Sequence, residues 1–160
     1  MLTIVVKTSK MAFDFRRIYM KFDMDKSFGY LINRLCVANK NSFNKQIKPY
    51  GVSPEQWTVL FRVVEKDGIA QKELSDSTYK DQGNLTRMID KLVEKGYLLR
   101  DTDAKDRRSV KLFATHSSKQ LVEKIAPLSQ SQNEKLSEGL SEDEKTKLIE
   151  LLNKAYINIK

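Results

Sequence analysis

The sequence predicts a mainly α-helical domain of 160 residues with one small β-hairpin. Three observations support this fold class. Apolar residues recur at helical spacing along four segments in the first two thirds of the chain and along two near its end. Between these segments, Val110 and Leu112 alternate with Lys111, which is typical of a strand. The length fits one domain, and an apolar content of 40% suffices for a core.

The predicted first helix begins near residue 26 and runs to about residue 48. Its apolar stripe comprises Phe28, Leu31, Ile32, Leu35, Ala38, Phe43 and Ile47. At roughly 1.5 Å per residue this helix is on the order of 35 Å long, which is long for so small a domain. Residues 1–24 show no clear period, and the sequence leaves the structure of this N-terminal extension open.

The second predicted helix has complete start signals. Ser53 is the N-cap, Pro54 occupies the first helical position, and Gln56 completes the spacing of a capping box. Gly68 suits a left-handed C-cap. The predicted buried face consists of Trp57, Leu60, Phe61 and Val64.

A short third helix, anchored by Ile69 and Leu74, precedes a fourth helix that Asp81 caps and Gly96 ends. The apolar residues of the fourth helix are Leu85, Met88, Ile89 and Leu92. A short helix, a tight turn and a second helix form a helix-turn-helix, whose second helix enters the major groove of DNA. The hairpin that follows makes this a winged helix-turn-helix.

The side of the fourth helix opposite its apolar stripe is polar and contains poor helix formers. The residues that point away from the stripe on a helical wheel are Gly83, Arg87 and Asp90, flanked by Asn84, Thr86 and Lys91. In the major groove, Gln and Asn pair with adenine, Arg pairs with guanine, and Thr contacts the thymine methyl group. The alternative for this segment alone is an ordinary amphipathic helix with a solvated face.

The tip of the hairpin is basic. Lys105, Arg107 and Arg108 lie at or beside the turn, where the negative potential of a narrow minor groove would attract a guanidinium group. Asp106 would repel phosphate, so we expect it to hold a nearby Arg in an extended rotamer. The alternative is a solvated charged turn. The candidate DNA-binding residues are therefore Gln71, Lys72, Gln82, Gly83, Asn84, Thr86, Arg87, Lys91, Lys105, Arg107 and Arg108.

Two further predicted helices close the chain. Their apolar residues are Leu121, Ile125, Leu128 and Leu136 in one, and Leu148, Leu151, Leu152 and Ala155 in the other, which Ser141 and Glu144 cap. The first and last helices carry more apolar surface than a monomer can easily cover, which predicts a homodimer. The predicted organisation is an extension (1–24), a helical dimerisation region (25–50 and 116–160) and a winged helix-turn-helix DNA-binding region (51–115).

Composition excludes several classes of protein. The net charge of +8 favours a polyanionic partner, and most of the excess lies in residues 1–50, with ten Lys/Arg against three Asp/Glu. One cysteine, Cys36, and one histidine, His116, argue against a disulfide framework and a metal centre, so we expect no cofactor. No P-loop, GxGxxG or nucleophile elbow predicts an enzyme. Without a signal peptide or a membrane-spanning stretch, the predicted location is the cytoplasm.

Four stretches carry a family resemblance: GVSPEQWTVLFRV, IAQKELSDSTYKDQGNLTRMIDKLVEKGYLLR, DRRSVKL and GLSEDEKTKLIELL. Through them, residues 26–155 resemble the MarR family (multiple antibiotic resistance regulators). The resemblance implies a homodimeric winged helix-turn-helix repressor of double-stranded DNA that dimerises through its first and last two helices. It also places Arg108 in the minor groove, oriented by Asp106. One departure is ATHSS after the second wing strand, where the family usually has a glycine.

The resemblance further implies a small, often phenolic or anionic, ligand between the dimerisation and DNA-binding parts. Phe43, Trp57 and Phe61 are candidate lining residues, and the alternative is that they are plain core. Some relatives sense peroxide through a first-helix cysteine, and Cys36 lies about one turn from that position. The predicted function is a ligand-relieved repressor that binds a pseudo-palindromic operator. The alternatives are a redox-responsive regulator that uses Cys36, or a winged-helix module that binds RNA or protein.

Overall fold

A computed structural model describes residues 22–102 and 110–159 of the chain. The helices are α1 (Phe28–Ile47), α2 (Pro54–Glu65), α3 (Gln71–Thr78), α4 (Gln82–Glu94), α5 (His116–Leu136) and α6 (Glu142–Ile157). The strands are β1 (Ile69–Ala70), β2 (Leu98–Thr102) and β3 (Val110–Ala114). The chain divides into two compact units between Ala38 and Asn39. This architecture confirms the predicted fold class, a mainly helical chain with a small antiparallel sheet.

Helix α2 begins with the predicted capping box. The Gln56 N–H donates to Ser53 Oγ at 3.3 Å, and the Ser53 N–H donates back to Gln56 Oε1 at 3.1 Å. The predicted buried face is partly wrong, because Phe61 is 39% exposed whereas Val59 and Val63 are fully buried. Helix α2 packs against α3, α4, α5 and β3, so neighbours on several sides cover a wider face than one stripe.

The sheet has a third strand that the sequence did not predict. Ile69 does not anchor the third helix, which begins at Gln71; it lies in β1 and pairs with Leu112 of β3. The strand order is β1-β3-β2, with both pairs antiparallel. Gly68 is left-handed as predicted, with φ +81°, but α2 already ends at Glu65 and Lys66 is its C-cap. The Gly68 N–H donates instead to the Leu112 carbonyl at 2.9 Å and leads the chain into β1.

Helix α5 is tied to the second half of α1 by a buried amide. Gln132 is only 6% exposed; it donates to Asn39 Oδ1 at 2.8 Å and accepts from Gln46 at 2.7 Å and from Ser42 at 3.1 Å. Buried polar groups need partners, and here every hydrogen bond joins the same two helices. The cluster therefore fixes how Asn39, Ser42 and Gln46 face α5.

Helix α6 is capped as predicted but is not buried. The Ser141 N–H donates to Glu144 Oε2 at 2.9 Å, and the Glu144 N–H donates to Ser141 Oγ at 3.3 Å. None of its residues is buried within the single chain. Its exposed apolar residues are Leu148, Ile149, Leu151, Leu152, Tyr156 and Ile157. Among the described residues, no helix combines the length and the apolarity needed to cross a membrane.

Candidate nucleic-acid interface

The N-terminus of α4 is built by Asp81. Its Oδ1 accepts the N–H of Asn84 at 2.9 Å, and its Oδ2 accepts from the Asn84 side chain. The hydrogen bond from the Asn84 backbone, followed by that from the Asn84 side chain, lowers the pKa of Asp81 from its ordinary value. The carboxylate is thus charged at neutral pH and caps the positive end of the helix dipole.

Helix α4 has two distinct sides. Leu85, Ile89 and Leu92 are fully buried, and Met88 is half-buried against the same core. The exposed residues are Gln82, Gly83, Asn84, Arg87, Asp90 and Lys91, and Thr86 is half-buried at their edge. The wheel prediction that Gly83, Arg87 and Asp90 point away from the core, flanked by Asn84, Thr86 and Lys91, is confirmed. The helix ends at Glu94, and Gly96 follows with φ +71°.

A tight turn joins α3 to α4. Ser75 Oγ donates to the Lys80 carbonyl at 2.7 Å, and Tyr79 adopts a left-handed φ of 53°. Three residues, Tyr79 to Asp81, separate the two helices. A short helix, this turn and α4 make the predicted helix-turn-helix.

Two of the candidate DNA-binding residues, Gln71 and Thr86, contact each other. Gln71 Nε2, at the start of α3, donates to Thr86 Oγ1 at 2.9 Å. Thr86 Oγ1 in turn donates to the Gln82 carbonyl at 2.8 Å. Lys72, beside Gln71, is exposed. The first helix of the motif is therefore linked to the exposed edge of the second.

An ion pair that sequence reasoning missed modifies the exposed face. Arg100 of β2 donates to Asp90 Oδ1 at 2.8 Å, and both side chains are substantially exposed. Such a pair contributes little to stability. It does, however, offset the one negative charge that α4 would otherwise present beside Arg87. No local spacing predicts the contact, since ten residues separate its partners.

The C-terminal end of α4 is anchored on two sides. Lys95 Nζ donates to the Gly51 carbonyl at 2.6 Å. Thr115, the N-cap of α5, donates to the Gly96 carbonyl at 2.9 Å and accepts the N–H of Ser118. The unusual strand-to-helix junction noted in the sequence thus forms a capped helix start. These contacts fix the orientation of α4 relative to α5.

The wing is described at its base only. Strand β2 pairs with β3 from Leu98 opposite Ala114 to Thr102 opposite Val110. The four predicted tip residues, Lys105, Asp106, Arg107 and Arg108, lie outside the described residues. The antiparallel register nevertheless confirms the predicted hairpin.

The remaining candidate residues lie on other helices. Phe43 and Trp57 belong to the core, at 7% exposure each, and the Trp57 and Phe61 ring centroids are 5.4 Å apart. Cys36 is exposed on α1, and His116 is exposed at the first position of α5. Within residues 22–102 and 110–159, no group of three His, Cys, Asp or Glu side chains is placed to hold a metal ion.

Known proteins are similar to this chain in sequence and in fold. The model of the MarR family matches residues 52–110. YkoM of Bacillus subtilis (strain 168), described as an uncharacterized HTH-type transcriptional regulator, is 33% identical over 111 residues, which cover 69% of this chain and 72% of YkoM.

Two solved structures resemble the chain along most of its length. A MarR transcriptional regulator from Methanosarcina mazei Go1 has 32% identity and a TM-score of 0.73, covering 82% of this chain and 97% of that one. A mutant of MarR from E. coli, complexed with operator DNA, has 29% identity and a TM-score of 0.74, covering 79% of this chain and 91% of that one.

Proposed function

This chain belongs to the MarR family and is a DNA-binding transcriptional regulator, and we propose that it is a repressor that binds a pseudo-palindromic operator as a homodimer. Release from the operator follows when a small molecule binds. The family's members are transcriptional regulators rather than enzymes.

The observation that carries this proposal is the exposed polar face of α4. On its apolar side Leu85, Ile89 and Leu92 are fully buried, its N-terminus is capped, and a tight turn joins it to α3. A helix so fixed presents Gln82, Asn84 and Arg87 as one unit, which suits insertion into the major groove. We assign Arg87 to a guanine edge or to a phosphate.

We assign the other DNA contacts by position. Gly83 lets the start of α4 approach the DNA backbone closely, and Lys91 and Lys72 supply charge beside it. At the wing tip, outside the described residues, Lys105, Arg107 and Arg108 enter the flanking minor groove with Asp106 as the orienting residue. This assignment is supported by the pairing of β2 with β3, the two strands that flank these residues in the sequence and follow α4.

Homodimerisation is supported by the exposed apolar side chains of α6 and, separately, of α1. Leu148, Leu151 and Leu152 of α6 are 44 to 52% exposed, and Leu35 of α1 is 53% exposed. Contiguous apolar surface on a stable protein marks an interface. We assign dimerisation to residues 25–50 and 116–160 and DNA binding to residues 51–115. Two-fold symmetry then places the operator half-sites roughly 10 bp apart, or a multiple of that distance.

For the small molecule, Phe43, Trp57 and Phe61 are the proposed contacts. Phe61 is the partly exposed member, so it would meet an aromatic ligand first, and the adjacent Trp57 ring lies at 5.4 Å. Phe61→Ala should weaken the ligand's effect on DNA binding without changing DNA affinity in its absence. Equal ligand response in the variant would show that the ligand binds elsewhere.

The test of DNA binding is fluorescence anisotropy with the promoter region beside the protein's own gene, compared with the same sequence as RNA. Specific binding to duplex DNA should weaken steeply between about 50 and 200 mM salt, in proportion to the phosphates contacted. A stronger complex with RNA, or binding that is equal for all DNA sequences, would reject the proposed function.

A second candidate, redox control through Cys36, is favoured by the exposure of this residue on α1. Oxidation of a thiol requires access to the oxidant. Peroxide should lower operator affinity in the wild type and leave the Cys36→Ser variant unchanged. A peroxide response that is the same in both proteins excludes Cys36 as the sensor.

A further inference from the structure

Thr86 donates its only hydroxyl hydrogen within the protein. The Gln82 carbonyl can only accept, so the hydroxyl hydrogen of Thr86 points to it over 2.8 Å. Because a hydroxyl has one hydrogen, the contact of 2.9 Å with Gln71 must be a bond that Gln71 Nε2 donates to Thr86 Oγ1. Thr86 therefore has no hydrogen left to donate to a base.

The other branch of the side chain has no such role. Thr86 is half-buried at the edge of the exposed face of α4, and its methyl group is the part that takes no hydrogen bond. The bond to the carbonyl four residues earlier also restricts the side chain to particular χ1 values. The residue thus carries an apolar group in a fixed position beside polar readers.

Neighbouring side chains differ from Thr86 in this respect. Among the described residues, the side chains of Gln82 and Arg87 have no hydrogen-bond partner, so all of their donors stay available. Hydrogen-bonded reading of base edges therefore falls to them. A methyl group can recognise only an apolar feature, and thymine is the base that presents a methyl group in the major groove.

We infer that Thr86 specifies a thymine in each operator half-site through contact between the two methyl groups, and that Gln71 is a positioning residue for Thr86 and not a DNA contact. The inference rests on the proposed function, since it requires α4 to enter the major groove. Gln71 is thereby removed from the candidate DNA-binding residues that the sequence predicted.

The test replaces thymine by deoxyuridine, which lacks the methyl group and is otherwise the same base. After selection of an operator from random duplex DNA, each thymine of one half-site is replaced in turn. For the wild type, one replacement should weaken binding about fourfold, the factor that corresponds to one buried methyl group. Anisotropy titrations give the ratio of the two dissociation constants.

Two matched variants identify the reader of that thymine. Thr86→Val keeps the methyl group and removes the hydroxyl. Because Val, unlike Thr, has one strongly preferred χ1 rotamer in a helix without any hydrogen bond, this variant should keep a ratio of about four. Thr86→Ser keeps the hydroxyl and its bonds to Gln71 and Gln82 but removes the methyl group, so its ratio should fall to about one. Circular dichroism and melting curves check that both variants stay folded.

The positioning role of Gln71 has a separate test. Gln71→Met retains the length of the side chain and removes the donated hydrogen bond, so the ratio should fall in this variant while its melting temperature stays close to that of the wild type. If Gln71 contacted DNA instead, Gln71→Met would weaken thymine and deoxyuridine operators equally and leave the ratio unchanged.

The outcomes distinguish the inference from the proposed function. Two results would overturn the methyl contact alone. One is sequence-specific binding in which no replacement of thymine by deoxyuridine weakens the complex. The other is a ratio of dissociation constants that Thr86→Ser preserves and Thr86→Val abolishes. Absence of any sequence-specific binding to duplex DNA by the wild type overturns both.

Discussion

Helices α4 and α6 have similar local signals and different surroundings. Both begin with side-chain caps, at Asp81 and at Ser141, and both carry apolar residues three and four positions apart. In α4, Leu85, Ile89 and Leu92 are fully buried, whereas no residue of α6 is buried within the chain. Local sequence thus decides where a helix begins, and tertiary packing decides which of its faces is covered.

The largest expected effect comes from truncating one apolar residue in each of the two helices. Ile89→Ala should lower the free energy of unfolding by about 2 to 5 kcal/mol, because it leaves a cavity in a closed core. Leu152→Ala removes a side chain that is 44% exposed, so its cost within one chain should be about 1 kcal/mol or less. Urea unfolding at several protein concentrations measures both. An equal, concentration-independent loss in the two variants would contradict the comparison.

A charge introduced on the exposed apolar face of α6 tests its role directly, because this face is the proposed dimer interface. Leu152→Glu would place an unpaired carboxylate there, and we expect operator affinity to fall by roughly 100-fold, or about 2.7 kcal/mol. Sedimentation should show monomers. The control is Thr146→Glu, an exposed position about 160° away from Leu148 on the helical wheel, which should leave the dimer intact. Dimers of the Leu152→Glu protein would reject α6 as the interface.

The exposed face of α4 should respond differently from its buried face. Arg87→Ala should leave the melting temperature unchanged and cost about 1 to 3 kcal/mol of operator affinity, with preference relaxed at one base pair. Binding to operators with each single base changed measures the effect. A uniform loss across all sequences would make Arg87 a phosphate contact instead of a base reader.

The smallest expected effect concerns the two capping carboxylates. Hydrogen bonds from Asn84 lower the pKa of Asp81, and the Ser141 backbone N–H and then the Ser141 hydroxyl lower the pKa of Glu144. A carboxyl group with a lowered folded pKa contributes its full stabilisation above its unfolded value and loses it as pH falls through the folded value. Carboxyl NMR titration should therefore give midpoints below the ordinary values for both residues. Midpoints at or above those values would show that the caps do not form.

The helix starts were predictable because their signals lie within three residues. Ser53 with Gln56, Asp81 with Asn84 and Ser141 with Glu144 all form the expected hydrogen bonds. Burial was less predictable, since it depends on distant neighbours. Phe61 is exposed because the neighbouring elements cover other faces of α2. Strand β1 forms because Ile69 pairs with Leu112 of β3.

The candidate interface also has features that local sequence predicts and features that depend on distant neighbours. The exposure of Gly83 and Arg87 follows from helical geometry alone, so the wheel predicts it. The bonds of Gln71 with Thr86 and of Asp90 with Arg100 span fifteen and ten residues, and they depend on how the turn and the hairpin bring the segments together. Sequence spacing therefore identified the exposed face of α4 but could not show which of its side chains already have partners within the protein.

Gly68 shows how little freedom the edge of the sheet has. A side chain there would need a φ of +81°, and its Cβ would lie 3.1 Å from the Phe113 ring. Gly139 has a φ of +82° with open space around it. In a saturation library selected for folded protein, position 68 should recover glycine alone, whereas position 139 should also recover asparagine. The residue that leads into the two-residue strand β1 is thus restricted by both its backbone conformation and the Phe113 ring.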